Sequence, residues 1–128
     1  MAEGFLGIDV GTASARAGVF DQAGRLLGTA RRDIPLYLSG DFAEQSSRSI
    51  WAAVAAASRE AVALSGLEPT AIKGVGFDAT CSLVVLDAEG GPVPVGDSAD
   101  PERNIIVWMD HRAIEQTERI NATHHDVL

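Results

Sequence analysis

The sequence predicts an α/β domain in which a mixed β-sheet is flanked by helices, and three observations predict it. Two short apolar runs, at residues 5–10 and 15–20, are joined by a polar turn containing glycine, as in a hairpin of buried strands. A segment at 46–65 with apolar residues at helical spacing follows them. Another apolar run, at 72–77, follows the helix, and a strand reached through such a crossover runs parallel to an earlier strand.

Composition limits the chain to a single globular domain. Its 128 residues are 46% hydrophobic, which is enough to bury a core. The net charge of -8 and the isoelectric point near 4.7 argue against nucleic acid or an anionic membrane as a partner. Cys81 is the single cysteine, which excludes an internal disulfide and favours a reducing compartment. With no signal-peptide pattern and no apolar run long enough to span a bilayer, we expect a cytoplasmic protein.

The first two strands lead into a third. Asp21 and Gly24 occupy the first and fourth positions of a predicted type I turn, and a strand is expected over residues 25–34. Residues 35–45 contain Pro, Ser-Gly and Asp without any period, which predicts a loop.

A helix is predicted next. Ser46 and Ser47 are suitable N-caps, and apolar residues that include Trp51 recur at helical spacing up to about Ser65. Gly66 follows, and a glycine at this position commonly ends a helix.

The second half of the chain predicts shorter elements. After the strand at 72–77, residues 83–86 and 92–95 are expected to pair across a turn at 87–91. An apolar strand is expected at 104–108, and Asp110 is a candidate N-cap for a final helix beginning at His111.

The turn between the first two strands carries residues suited to phosphate. Gly11 lets the backbone approach a ligand closely, so that amides and the hydroxyls of Thr12 and Ser14 converge on phosphate oxygens. Asp9 is suited to hold a hydrated Mg²⁺, and Arg16 to neutralise phosphate charge during the reaction. These residues predict an ATP site. The alternative is an ordinary hairpin in which Asp9 and Thr12 only satisfy backbone groups.

Residues 7–21 resemble the first phosphate motif of the actin-like ATPase superfamily, which includes sugar kinases, heat-shock chaperones and bacterial actins. Residues 77–82, Phe-Asp-Ala-Thr-Cys-Ser, and 107–113, Val-Trp-Met-Asp-His-Arg-Ala, resemble the sugar-binding strand ends of FGGY carbohydrate kinases. With Glu44-Gln45 and Trp51, the resemblance covers essentially the whole chain, and the Phe-Asp-Ala-Thr form is most similar to D-ribulokinases and related ketopentose kinases. The order of predicted elements is also that of a ribonuclease H-like half-domain.

The resemblance implies transfer of the γ-phosphoryl group of ATP, with Mg²⁺, to a terminal hydroxyl of a ketopentose such as D-ribulose. It implies that Asp9 organises the metal through water while the turn surrounds the transferring phosphate. Carboxylates accept hydrogen bonds from sugar hydroxyls, and an indole packs on the C–H surface of the carbon chain. The sugar pocket implied by the resemblance is lined by Asp78, Ala79, Thr80, Trp108, Asp110 and Arg112.

Some of these residues also have structural interpretations. Asp110 is equally suited to cap a helix, and Trp108 by itself would be assigned to core packing. Asp78 favours a functional role, because a carboxylate directly after an apolar strand is seldom there for packing. Cys81 is expected to be a small buried residue, and His111 is assigned no chemistry.

The FGGY kinases that the chain resembles are several times longer, with the active site between two domains. The general base, the second phosphate motif and the adenosine pocket match no residue here. We therefore expect residues 1–128 to be a truncated N-terminal kinase domain, without the C-terminal domain, that does not turn over alone. Apolar surface left uncovered is expected to cause self-association.

Three other functions stay open on the sequence. One is a kinase of the same family that acts on xylulose, ribitol or another polyol. A second is an actin-like or chaperone-like ATPase without a small acceptor, which would have no need for Asp78 and the cluster at 108–112. A third is a non-catalytic module that binds a sugar or a nucleotide.

Overall fold

The chain forms two four-stranded sheets and two helices in a computed structural model that describes residues 3–127. A short 3₁₀ turn, Pro69–Ala71, precedes the sixth strand. The elements in chain order are β1 Gly4–Val10, β2 Ser14–Phe20, β3 Leu26–Asp33, β4 Tyr37–Ser39, β5 Phe42–Gln45, α1 Ser47–Ser65, β6 Ile72–Ala79, β7 Leu83–Val84, β8 Ile105–Ile106 and α2 Ile114–Asn121.

The first sheet has the strand order β3-β2-β1-β6. The pairs β1–β2 and β2–β3 are antiparallel, whereas β1 and β6 are parallel. The predicted mixed sheet, with the strand after the helix parallel to an earlier strand, is therefore confirmed. The turn between β2 and β3 is also as predicted, with the Gly24 amide donating to the Asp21 carbonyl at 3.0 Å.

The predicted ends of α1 are confirmed. The Ser46 hydroxyl caps the helix by accepting a hydrogen bond from the Ser49 amide, and Gly66 ends it in the left-handed region with φ 71°. Trp51, counted among the apolar positions of this helix, is 75% exposed. The buried face of α1 instead consists of small residues, Ala53, Ala57 and Ala61.

This alanine face allows α1 to lie close to the first sheet. Ala57 and Ala61 form one core cluster with Leu6, Ala17 and Val19. Because small side chains let two backbones approach closely, the core of this domain is thin but continuous from β1 to β3.

The prediction of a loop over residues 35–45 is wrong, because β4 and β5 lie there and begin the second sheet, of order β4-β5-β8-β7. Ala43, Glu44 and Gln45 are buried in succession, so the sequence of β5 has no alternating pattern. β5 pairs with β8, and Ala43 of β5 packs with Ile105 of β8 in a separate core cluster. Because β5 is formed by pairing with residues about 60 positions later, the sequence of residues 42–45 alone does not predict it.

The hairpin predicted at 83–95 is smaller than expected. Only β7 pairs as a strand, with β8, and one isolated bridge joins Leu86 to Pro92. The turn itself is as predicted, closed by the Asp87 amide donating to the Gly91 carbonyl at 2.8 Å. Cys81, expected to be buried, is exposed.

The final helix also differs from the prediction. It begins at Ile114, its N-cap is Ala113, and that residue supplies no side-chain hydrogen bond. The expected start at His111 and the expected cap by Asp110 are therefore wrong, because the Asp110 carboxylate binds other groups. None of the eight residues of α2 is buried, so only α1 packs on the sheet. Among residues 3–127, the helices are too short or too polar to cross a bilayer.

Candidate active site

Two carboxylates lie side by side on the first sheet. The parallel register of β1 and β6 pairs Asp9 with Asp78, and residues in register on neighbouring strands point to the same face. The alternate residues Leu6 and Ile8 face α1, so both carboxylates point to the opposite, uncovered face. Asp9 and Asp78, separated by most of the chain, thus share one end of the sheet.

The turn after β1 is held in one conformation by backbone contacts. The Gly11 amide donates to the Ser14 carbonyl at 3.0 Å, and the Ile34 amide donates to the Ala13 carbonyl at 2.9 Å. The Gln45 side-chain amide donates to the Thr12 carbonyl at 2.7 Å. Because the Gly11 amide is used within the turn, it is not free to converge on a ligand as the sequence suggested. Ser14 is buried where β2 begins.

Asp9 is paired with Arg16. The two residues are in register across β1 and β2, and their carboxylate and guanidinium lie 2.7 Å apart with both side chains about half exposed. Among residues 3–127, no three His, Cys, Asp or Glu side chains cluster as metal ligands. A half-exposed carboxylate with one carboxylate neighbour nonetheless fits Mg²⁺, which takes few protein ligands and keeps several waters.

Trp108 connects the turn to the end of β6. Its indole Nε1 donates to the Thr12 hydroxyl at 2.9 Å. Its backbone amide donates to the Ser82 hydroxyl at 3.2 Å, and that hydroxyl lies 3.0 Å from the Thr80 hydroxyl. Trp108 is 59% exposed, so assignment to the core would have been wrong. The indole face is accessible beside both the turn after β1 and the segment that follows β6.

Asp110 and Arg112 occupy a different environment. The Asp110 carboxylate is 2% exposed and accepts hydrogen bonds from the Ala43 amide and from the guanidinium of Arg112 at 2.7–2.8 Å. Arg112 also donates to Glu44 and to the Val95 carbonyl, each at 2.8 Å. These two side chains are bound by protein groups and are largely buried, whereas the Trp108 side chain, although hydrogen-bonded to Thr12, is exposed.

The buried ion cluster shifts both pKa values. Burial of Asp110 acts to raise its pKa, but the hydrogen bonds from Arg112 and from the Ala43 amide outweigh it and lower the pKa from 3.8 to about 2. The hydrogen bond to Asp110 and the second contact with Glu44 raise the pKa of Arg112 above its usual range. Both groups stay charged at neutral pH.

Sequence reasoning missed the contributions of Gln45, Ser82 and Glu44. Gln45 is 2% exposed and holds the turn, Ser82 holds the Trp108 backbone, and Glu44 binds Arg112. The only available signal was the position of Glu44-Gln45 just before a helix, which indicated a resemblance but no contact. Each contact depends on tertiary structure.

The fold is shared with solved structures of kinases. The structure superposes on a xylulose kinase from Rhodospirillum rubrum with a TM-score of 0.77, over 97% of this chain and 24% of that one, at 20% sequence identity. At this identity the likeness concerns the fold alone, which is the actin-like ATPase fold expected from the order of elements.

Residues 5–127 match the FGGY family of carbohydrate kinases, N-terminal domain, and the chain belongs to this family. Over 125 residues it is 47% identical to an FGGY carbohydrate kinase domain-containing protein of Homo sapiens, covering 97% of this chain and 22% of that protein. It is 48% identical to a D-ribulokinase of Saccharomyces cerevisiae, covering 95% of this chain and 18% of that enzyme. The chain thus spans about a fifth of the length of these relatives.

Proposed function

We propose that these residues supply the phosphate turn and the sugar-binding strand ends of an ATP-dependent ketopentose kinase whose acceptor is D-ribulose. Membership of the FGGY family supports a carbohydrate acceptor, and the similarity to a D-ribulokinase supports this particular sugar. The observation that carries the proposal is the adjacency of Asp9 and Asp78 at one end of the sheet. Phosphoryl transfer depends mainly on positioning, which requires the phosphate and sugar contacts to be adjacent.

On the phosphate side, ATP with Mg²⁺ would supply the γ-phosphoryl group when bound. Asp9 would hold Mg²⁺ through water, and Arg16 would balance charge that builds on the phosphoryl oxygens. Gly11, Thr12 and Ser14 would form the wall of the phosphate site, with the turn kept rigid by its backbone contacts. A rigid turn lowers the reorganisation needed when the phosphate arrives.

On the sugar side, the Asp78 carboxylate would accept hydrogen bonds from hydroxyls, with Ala79 and Thr80 beside it. The exposed indole of Trp108 would pack on the C–H face of the sugar. For Asp110 and Arg112 we propose an indirect part in substrate binding. Because their side chains are bound by protein groups, they would fix the segment that carries Trp108.

We further propose that the general base and the adenosine pocket come from a C-terminal kinase domain. The relatives are about five times longer than this chain, which supports a second domain across a cleft. On this proposal residues 1–128 alone release no ADP in the presence of ATP, Mg²⁺ and D-ribulose. Turnover at a normal kinase rate by the 128-residue chain would overturn this part.

The acceptor is tested by an ADP-release assay on an FGGY kinase that carries these 128 residues as its N-terminal part, called here the assembled kinase. The acceptors compared are D-ribulose, D-xylulose, ribitol and none. We expect D-ribulose to give the highest kcat/KM. A preference for D-xylulose or ribitol would support a carbohydrate kinase but contradict D-ribulose as its acceptor. ADP release that needs no acceptor would favour an actin-like or chaperone-like ATPase.

The composition supports the remaining parts of the proposal. A net charge of -8 favours a small-molecule substrate over nucleic acid or an anionic membrane. A single cysteine, exposed in the fold, suits a reducing cytoplasm.

A further inference from the structure

Gln45 is a buried polar side chain at the end of β5. It is 2% exposed, although glutamine is seldom buried this deeply. Burying an amide costs free energy unless the amide is hydrogen-bonded, so a buried glutamine indicates a specific hydrogen bond. The side-chain nitrogen of Gln45 makes such a bond to the Thr12 carbonyl, at 2.7 Å. Gln45 therefore connects the second sheet to the turn after β1.

The Thr12 carbonyl differs from its neighbours in the turn in the group that it binds. The carbonyls of Ala13 and Ser14 accept hydrogen bonds from backbone amides. The Thr12 carbonyl accepts one from the Gln45 side chain, 33 residues away in the sequence. The direction of the peptide group between Thr12 and Ala13 is therefore held by a side chain of the second sheet.

The same contact sets the direction of the Ala13 amide. In a trans peptide group the carbonyl and the following N–H lie in one plane and point in opposite directions. Among residues 3–127 no peptide bond is cis, so holding the Thr12 carbonyl also orients the Ala13 N–H. Within the same residues this N–H donates to no acceptor, and Ala13 is exposed.

Gln45 reaches the turn from the α1 side of the first sheet. It lines one groove together with Ile8 and Val10, which pack toward α1. The Thr12 carbonyl is therefore directed toward the α1 side. The Ala13 N–H is directed toward the opposite face, where the two carboxylates of the proposed site lie.

We propose that Gln45 is a positioning residue that orients the Ala13 amide to donate a hydrogen bond to a terminal phosphoryl oxygen of ATP. The inference rests on the proposed function, because it takes the turn as the phosphate site. It supplies a donor in place of the Gly11 amide, which is used within the turn. A donor whose direction is fixed before the phosphate arrives needs no reorganisation, so it stabilises negative charge well.

Thr12 is also held from a second direction. The indole of Trp108 donates to the Thr12 hydroxyl at 2.9 Å. Trp108 follows β8, and β8 pairs with β5 through Ile105 and Gln45. The carbonyl and the side chain of Thr12 are thus both fixed relative to neighbouring strands of the second sheet, which keeps the Ala13 N–H in one direction.

The first test is a calorimetric titration of the assembled kinase with AMPPNP, a non-hydrolysable analogue of ATP, in the presence of Mg²⁺. Gln45→Met keeps the length of the side chain but removes the donor. We expect it to raise the Kd for AMPPNP at least fivefold, and to leave the Kd for AMP, which has no terminal phosphates, within about twofold. Gln22→Met is the matched control, because Gln22 also donates a side-chain hydrogen bond, to Glu3, but is exposed. It should change neither Kd.

Two results for Gln45→Met would overturn the proposal. An equal rise in the Kd for AMPPNP and for AMP would mean that Gln45 supports the whole site and not the turn. An unchanged Kd for AMPPNP would mean that the turn keeps its conformation without this contact. If the parent kinase bound no AMPPNP, the proposed phosphate site would fail and this inference with it. A preference for another acceptor would leave the titration unaffected.

A second test removes the amide itself and does not depend on how Gln45→Met folds. Ala13→Pro takes away the N–H, and no hydrogen bond within residues 3–127 is lost with it. It should raise the Kd for AMPPNP at least as much as Gln45→Met does. Because Gln45 acts through this amide, the double variant should bind AMPPNP no more weakly than Ala13→Pro alone. Effects that multiply, or a Kd unaltered by Ala13→Pro, would contradict the inference.

Discussion

The hydrogen bond between Trp108 and Thr12 joins two parts of the chain that the proposed reaction would use together. Thr12 belongs to the turn between β1 and β2, and Trp108 follows β8 beside Thr80 and Ser82. Because the indole donates to a hydroxyl of the turn, this contact holds the two segments together. The proposed phosphate and sugar positions therefore meet at this residue.

Trp108→Phe should remove this hydrogen bond and keep an aromatic face. Loss of one neutral hydrogen bond costs about 1 kcal/mol, so we expect kcat/KM of the assembled kinase for D-ribulose to fall about fivefold. Trp51→Phe, at an exposed position on α1, is the control and should leave kcat/KM unchanged. An equal effect of both substitutions would mean that the indole of Trp108 has no special part.

The ion pair between Asp110 and Arg112 should make stability depend on pH. The pKa of Asp110 is lowered from 3.8 to about 2, so its contribution is complete above pH 3.8 and is lost as the pH falls toward 2. The contribution is about 2 kcal/mol of unfolding free energy. Urea unfolding of the chain and of Asp110→Asn, at pH 6 and at pH 3, measures it.

The variant should be less stable at pH 6 by about 2 kcal/mol, since Arg112 would keep Glu44 but lose its ion pair with Asp110. It should also lose part of the pH dependence. The pKa of Asp21, lowered by the Arg25 amide, and the pKa of Glu102, lowered by the Ser46 hydroxyl, add a dependence common to both proteins. An identical decrease between pH 6 and pH 3 in both proteins would refute the role of Asp110.

At the scale of single residues, the sequence shows which groups are close in the chain but not which distant groups they contact. Asp9, Gly11 and Thr12 could be assigned to one turn because they are close in the chain. The contact of Gln45 with Thr12 spans 33 residues and that of Trp108 with Ser82 spans 26. No local pattern in the sequence predicts such pairs. The contacts of the Asp110 carboxylate with Ala43 and Arg112, which replace the expected helix cap, could not be predicted for the same reason.

At the scale of elements, α1 and β3 depend on an unusually close approach. A Cβ atom at Gly28 would lie 2.5 Å from the Ala61 carbonyl oxygen and 2.5 Å from the Ser65 backbone nitrogen. Backbone atoms of a helix cannot move aside as a flexible side chain can. The glycine is therefore required for the packing of this helix on the sheet.

Gly28→Ala should lower the unfolding free energy by about 2–3 kcal/mol, because the helix must shift away from β3. Gly76→Ala is the matched control in another strand, where an added Cβ meets open space, and it should be neutral or slightly stabilising. Denaturant unfolding at low protein concentration measures both changes. A neutral result for Gly28→Ala would show that the packing adapts.

Elements with local signals were predicted well, and those defined by distant partners were not. α1 has a capping serine, a periodic face and a terminal glycine, and its predicted bounds are confirmed. β5 buries three successive residues against β8, about 60 residues away in the sequence, where the sequence predicts a loop. The strand predicted at 83–86 exists as β7, but its partner is β8 and not residues 92–95.

At the scale of the whole molecule, the position of β6 in the first sheet determines where the proposed site lies. Because β6 is parallel to β1, the carboxyl ends of both strands, with Asp9, Asp78 and the turn, lie at one end of the sheet. Within residues 3–127, β6 is also the last strand of this sheet, and its Val75 and Phe77 are exposed.

Steady-state kinetics of Asp78→Asn in the assembled kinase test whether Asp78 binds the sugar beside a phosphate site built on Asp9. We expect the KM for D-ribulose to rise at least tenfold while the KM for ATP stays within about twofold, since a carboxylate hydrogen bond contributes about 1.5–3 kcal/mol. Unchanged kinetics for D-ribulose, or an equal rise in both KM values, would contradict the account.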